Sequence, residues 1–223
     1  IGGLQELTLL ELNKSKLSRL PAEIGKLHKL KVLSLQRNFL TRLPPEMAAL
    51  KHLQQLTLSD NRFESFPAEI LHLESLEELS LGRNRLTALP DDFDRLARLR
   101  KLFMGSCHLT ALPACFGNLH ELQILDLEDN KITALPESVG DLQRLNTLEL
   151  KNNLLQTLPA SIAGLSMLDT LYLENNRLNS LPPQTGAMPR LKYLQLNQNL
   201  LETVPATLAQ APMLESLDLE DNP

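Results

Sequence analysis

The chain has 223 residues, 43% of them apolar and only 4% aromatic, and its 22 Lys and Arg against 27 Asp and Glu leave a formal charge of −5. That balance argues against nucleic acid or an anionic membrane surface as a partner, and no run approaches the roughly 18 apolar residues of a membrane-spanning helix. Two cysteines with no cysteine-rich flank do not make a disulfide framework, which favours a reducing, cytoplasmic setting.

A fixed period takes precedence over any domain count made from length. Six residues, nine uninterrupted 23-residue units and ten final residues account for the whole chain. Ile1 to Glu6 match unit positions 18 to 23, the first complete unit opens at Leu7, and Leu214 to Pro223 match positions 1 to 10. The chain thus begins and ends inside a repeat, without an initiator Met or a polar capping unit. We therefore expect a single repeat array over residues 1–223 that is part of a longer protein. Bare repeat edges expose apolar surface and free strand backbone, so self-association through the ends is expected.

Within a unit the first element is a strand. Positions 4 to 6 alternate in-out-in, as in Leu33-Ser34-Leu35, the period-2 signature of one buried face. A sharp turn follows, and Asn usually stands at position 9. A buried amide offers donors and acceptors to the backbone groups that such a turn strands inside. Asn38, Asn61, Asn84, Asn130, Asn153, Asn176, Asn199 and Asn222 are expected to form this structural ladder, with Ser15 and Cys107 in the two other places. Position 15 is proline in all nine complete units, from Pro21 to Pro205. Proline ends the ladder and suits the first position of a helical turn, and the spacing of Ile24 to Leu27 fits one short helical or 3₁₀ turn.

The pattern LxxLxLxxNxLxxLPxxIxxLxx, seen from Leu76 through Asn84 to Pro90, resembles the leucine-rich repeat family. The 23-residue Leu-Pro spacing is similar to the intracellular Ras-suppressor and SHOC-like subgroup and to bacterial repeat proteins. The resemblance covers the whole chain. It implies an α/β solenoid, a curved horseshoe with a parallel sheet on the concave face and short helical or 3₁₀ turns on the convex face. It also implies that the concave face binds other macromolecules.

Signals for chemistry are weak. His120-Glu121-Leu122-Gln123-Ile124 begins like a zinc-protease motif, but Ile124 stands where the second His is needed. The five histidines fall in turns or on the outer surface, and Gly25-Lys26-Leu27 lacks the rest of a phosphate loop. Cys107 reads as a packing thiol, and Cys115 as a surface thiol on the outer side. No catalytic residue, cofactor or metal site is assigned. Metal binding or intrinsic enzyme activity would rest on the acidic columns Asp126, Glu149 and Glu128.

Strand positions 2, 3, 5, 7 and 8 point away from the core. The first five units carry a net charge of +2 at these positions and the remainder −8, including Asp126 and Glu149. That polarity suits a protein partner with a basic patch. Phe103, Tyr172 and Tyr193 are the three aromatics at these positions, and the two tyrosines are placed within reach of each other on adjacent strands. Gly82 and Gly105 share position 7, so a shallow depression is expected, with Phe103, Ile124, Arg83, Arg100 and Lys101 supplying an apolar floor and a basic rim. The chain is read as a non-catalytic interaction scaffold. The alternative is the substrate-recognition domain of a larger enzyme: a kinase, a GTPase, a ubiquitin ligase or a secreted bacterial effector acting in a host cytosol.

Overall fold

A computed structural model describes residues 1–223. Each unit gives three residues to one parallel sheet: β1 (Leu9–Glu11), β2 (Val32–Ser34), β3 (Gln55–Thr57), β4 (Glu78–Ser80), β5 (Lys101–Phe103), β6 (Ile124–Asp126), β7 (Thr147–Glu149), β8 (Thr170–Tyr172), β9 (Tyr193–Gln195) and β10 (Ser216–Asp218). The strands pair in sequence order, so the sheet is open at both edges. A constant period sets like beside like, as where Leu33 opposes Leu56 and Leu56 opposes Leu79. Position 4 thereby forms a leucine column, fully buried from β2 to β9. Pairing continues past the strand ends: the Leu35 N–H donates to Thr57 O at 2.8 Å and the Arg37 N–H to Ser59 O at 3.0 Å.

Position 8 is left-handed in every unit, from Lys14 (φ 54°) to Asp221 (φ 55°), and none of these residues is glycine. The conformation costs an L residue about 1 kcal/mol, and least for Asp or Asn. It persists because this turn swings position 9 into the interior.

On the convex side the chain makes 3₁₀ turns, five residues long except for Phe93–Arg95. The proline stands one residue outside the turn rather than at its first position, except in the fourth unit, where Asp92 takes that place and Pro90 lies two residues earlier. Pro21 is extended (φ −74°, ψ 151°), and its carbonyl accepts the Ile24 N–H at 3.1 Å. Proline has no N–H to lose there, and its C=O opens the turn. Only Pro45 and Pro183, second prolines in their units, occupy the first turn of the helix itself. Ile24 and Leu27, three residues apart, point into the core as 3₁₀ geometry requires.

Glycine at position 19 lets neighbouring convex turns approach. A Cβ on Gly117 would lie 2.1 Å from Ser138 O, and one on Gly140 would lie 2.2 Å from Ser161 O. The core is continuous: 57 buried apolar residues form one cluster along the solenoid. Its aromatic part is local, with Phe66 edge-on to Phe93 (5.4 Å) and Phe93 stacked on Phe116 (5.8 Å). Cys115 is half-buried and packs against this core, not out on the surface, because position 17 of its unit lies beside Phe116. The fully buried Thr185 hydroxyl has no hydrogen-bond partner, and nothing in its surroundings explains it.

Candidate functional site

The buried polar groups come first, because they divide structure from function. Asn61 Oδ1 accepts the Leu40 N–H of the preceding unit at 3.0 Å, while Nδ2 donates to Leu35 O and Leu58 O, both at 2.9 Å. Each amide therefore staples two units through backbone that the turn has stripped of partners. Asn38, Asn84, Asn130, Asn153, Asn176, Asn199 and Asn222 repeat the arrangement. Cys107 replaces one rung. Its thiol donates weakly to Leu81 O at 3.5 Å, and the N–H groups of Asn84 and Leu86 face only sulfur. Burial pushes this thiol up from its ordinary pKa, against those two N–H groups, so it is a poor nucleophile.

The concave face is built from the outward strand positions. Its basic residues in the first half are largely paired across one strand spacing: Arg100 with Glu77 at 3.2 Å, Lys101 with Glu78 at 3.4 Å, and Arg37 and Arg83 with Asp60 at 3.7 and 3.9 Å. These are half-exposed pairs of small net strength. Their effect is to commit the cations.

A trough of about 320 Å³ does open over Gly82 and Gly105. Its lining departs from the expected apolar floor and basic rim. Phe103 and Arg83 line it, joined by Ser59, Ser80, Asp60, Arg37, Asp126 and Glu128. Arg100, Lys101 and Ile124 do not, because positions 2 and 3 lie toward the start of the strand while positions 5, 7 and 8 lie at its end. Arg100 and Lys101 instead line a separate polar groove with Glu77 and Glu78. Phe103 is the one apolar side chain of the trough, set by register between Ser80 and Asp126. Ser59, in the same column as the two glycines, widens the floor, and its Oγ lies 2.6 Å from Ser80 Oγ. The 23-residue spacing of Ser59, Gly82 and Gly105 was the signal for this column of small residues, of which the glycines alone stand out in the sequence.

The acidic residues are less well provided for. Asp126 faces Glu149 directly across the β6–β7 pair, and Glu128 stands beside them. Burial raises the pKa of all three carboxyls; neighbouring carboxylates raise it further, Asp129 for Asp126, Asp126 for Glu128 and Glu149. Asp126 Oδ1 accepts the Glu128 N–H at 3.0 Å, and no ion pair compensates any of the three.

No ring contact joins Tyr172 to Tyr193. Tyr193 pairs in register with Thr170, and its hydroxyl donates to Glu215, in the unit of β10, at 3.1 Å. Phe39, missed in the sequence reading, is exposed at the face's edge with the Arg62 guanidinium 4.3 Å above its ring. An aromatic at unit position 10, which is polar in most units, was the available signal.

Two family models match: one described as "Leucine-rich repeat region" over residues 1–103, and one described as "Leucine rich repeat" over residues 120–178 and 166–223. Among solved structures, a leucine-rich repeat protein of Leptospira interrogans is 35% identical with a TM-score of 0.83, over 99% of this chain and 62% of that one. The leucine-rich repeat ectodomain of the Arabidopsis thaliana membrane receptor kinase GASSHO1/SCHENGEN3, in complex with CASPARIAN STRIP INTEGRITY FACTOR 2, is 29% identical with a TM-score of 0.78, over 98% of this chain and 31% of that one. An internalin of Listeria monocytogenes, 24% identical with a TM-score of 0.83 over 96% of this chain and 61% of that one, shares the fold. No curated protein matches the sequence. The chain spans less than two thirds of each of these three structures.

Proposed function

The chain belongs to the leucine-rich repeat family, and from that premise we propose that it is a non-catalytic scaffold that binds a protein partner on its concave face. One observation carries this reading. The buried polar side chains that are first candidates for chemistry, the asparagine rungs, have their donors and acceptors committed to backbone. The concave sheet is what remains free to act. It presents a trough with an aromatic on its lining and a row of carboxylates that form no ion pair. Likeness to a receptor ectodomain solved with a bound factor supports the same reading. That likeness also favours a second reading, in which this segment is the recognition part of a larger enzyme. The surface used would be the same.

A photo-crosslinking amino acid placed at Tyr172 or Gln195 on the concave face, or at Glu137 on the convex face, tests the proposal in lysate. Partners captured from the concave positions and absent from the convex one are expected. Capture confined to Glu137 overturns it.

A further inference from the structure

Resting on that reading, we infer that the trough over Gly82 and Gly105 receives an arginine side chain carried by an extended segment of the partner. Charge complementarity is the first support. Along this face Arg100 and Lys101 each have an acidic neighbour and Arg37 and Arg83 share Asp60, whereas no cation lies within ion-pair distance of Asp126 or Glu128, and Lys151 and Arg83 act on Glu128 only from farther off. The unmet charge on the trough is therefore negative, and it is localised at the β6 end. Arg37 and Arg83 at the opposite end repel a second cation and fix the direction in which it enters.

Shape is the second support. A Cβ on Gly105 would lie 2.9 Å from Glu128 Cγ and 3.0 Å from Asp126 Oδ1, so both acidic side chains lean over the glycine and border the opening. Asp126 Oδ1 already accepts the Glu128 N–H, which leaves Oδ2 and the Glu128 carboxylate to face a ligand. Phe103 lies immediately beside them. An aromatic ring and two carboxylates lining one trough suit a planar guanidinium, which stacks and donates in fork geometry at once; an ammonium does only one of these well. The small floor of Ser59, Gly82 and Gly105 admits the approach of the partner's backbone. Burial of the carboxyls, which raises their pKa, is relieved when a cation is supplied.

The test uses the whole chain and a displayed library of random 12-residue peptides. Selected peptides are synthesised with arginine or with citrulline, its neutral isostere, and mapped by amide chemical shifts on isotope-labelled protein. Peptides that share an arginine, shift the Gly82 and Gly105 amides, and bind about tenfold more weakly with citrulline would support the inference. The Asp126→Asn/Glu128→Gln double variant should weaken the arginine form by a similar factor and leave the citrulline form unchanged; the amide introduced at position 126 keeps an Oδ1 acceptor for the backbone N–H of residue 128. Phe103→Leu should narrow the preference for arginine over lysine, and this readout does not move with folding alone. Concave-face peptides that tolerate citrulline overturn the arginine inference and leave the scaffold reading intact. Selected peptides that map only to the convex side overturn both.

Discussion

Two junctions in one solenoid differ in how their backbones are held. Between the sixth and seventh repeats, Asn153 accepts the Ile132 N–H at 3.0 Å and donates to Leu127 O and Leu150 O at 2.9 and 3.0 Å. Between the fourth and fifth, Cys107 offers one weak donor at 3.5 Å, and the Leu86 N–H finds only sulfur. The strands run on in register across both, since Glu78 opposes Lys101 just as Ile124 opposes Thr147. The weaker junction carries the Phe93–Phe116 stack on its convex half and the Gly82–Gly105 floor on its concave half. Repeat geometry thus survives the loss of one amide when its neighbours and an aromatic core hold the stack. The trough lies where the polar ladder is thinnest.

The largest effect should come from breaking the strong junction. Asn153→Ala strands buried N–H and C=O groups, at a cost of about 3 kcal/mol, and the urea midpoint should fall accordingly. Unfolding should also become less cooperative as the two halves uncouple. A fall no larger than that of Cys107→Ala would erase the contrast between the junctions. Cys107→Asn runs the comparison the other way: it supplies an acceptor to Leu86 N–H, and a gain of about 1 kcal/mol is expected. Slower hydrogen exchange at Leu86 should accompany the gain, and unchanged exchange there would show that the rung is not what limits the junction.

Charge distinguishes the two regions next. Asp126→Asn removes the like pair with Glu149 and should add about 0.5 kcal/mol at neutral pH. The sign follows from the raised carboxyl: the fold holds this proton more tightly than the unfolded chain does, so charged Asp126 opposes folding above its raised pKa. The variant's advantage in melting temperature should shrink as pH falls through that raised value. It should vanish below the ordinary carboxylate range. The smallest effect is expected from Ser106→Gly, which relieves a left-handed residue (φ 55°) in the turn beside Cys107, by a few tenths of a kcal/mol. A gain as large as that of Cys107→Asn would assign the weak junction to turn strain instead.

Much of this was legible along the chain. The asparagine ladder could be read because a 23-residue period puts each amide beside its counterpart, and the turn fixes which backbone groups need it. The salt-bridged state of Arg100 and Lys101 was legible by the same logic, since Glu77 and Glu78 stand 23 residues before them. The direction of Tyr193 was not. A half-exposed ring can turn toward either neighbour, and the choice fell to the hydrogen bond its hydroxyl donates to Glu215. The lining of the trough lay between these cases: Gly82 and Gly105 announced an opening, but which side chains border it depends on how strand ends splay, and those ends carry positions 5, 7 and 8.

By itself the sequence determined the period, the short parallel strands, the buried leucine columns, the amide rungs and the proline-led convex turns. Each is a local rule repeated until its neighbours satisfy it, so one unit dictates the next. Tertiary structure decided how the half-exposed side chains of the sheet surface are oriented and which of the acidic ones lack an ion-pair partner. Side chains on a sheet surface are held by pair contacts across adjacent strands. Those contacts paired Arg37, Arg83, Arg100 and Lys101 and left the carboxylate of Asp126, with those of Glu128 and Glu149, without an ion-pair partner.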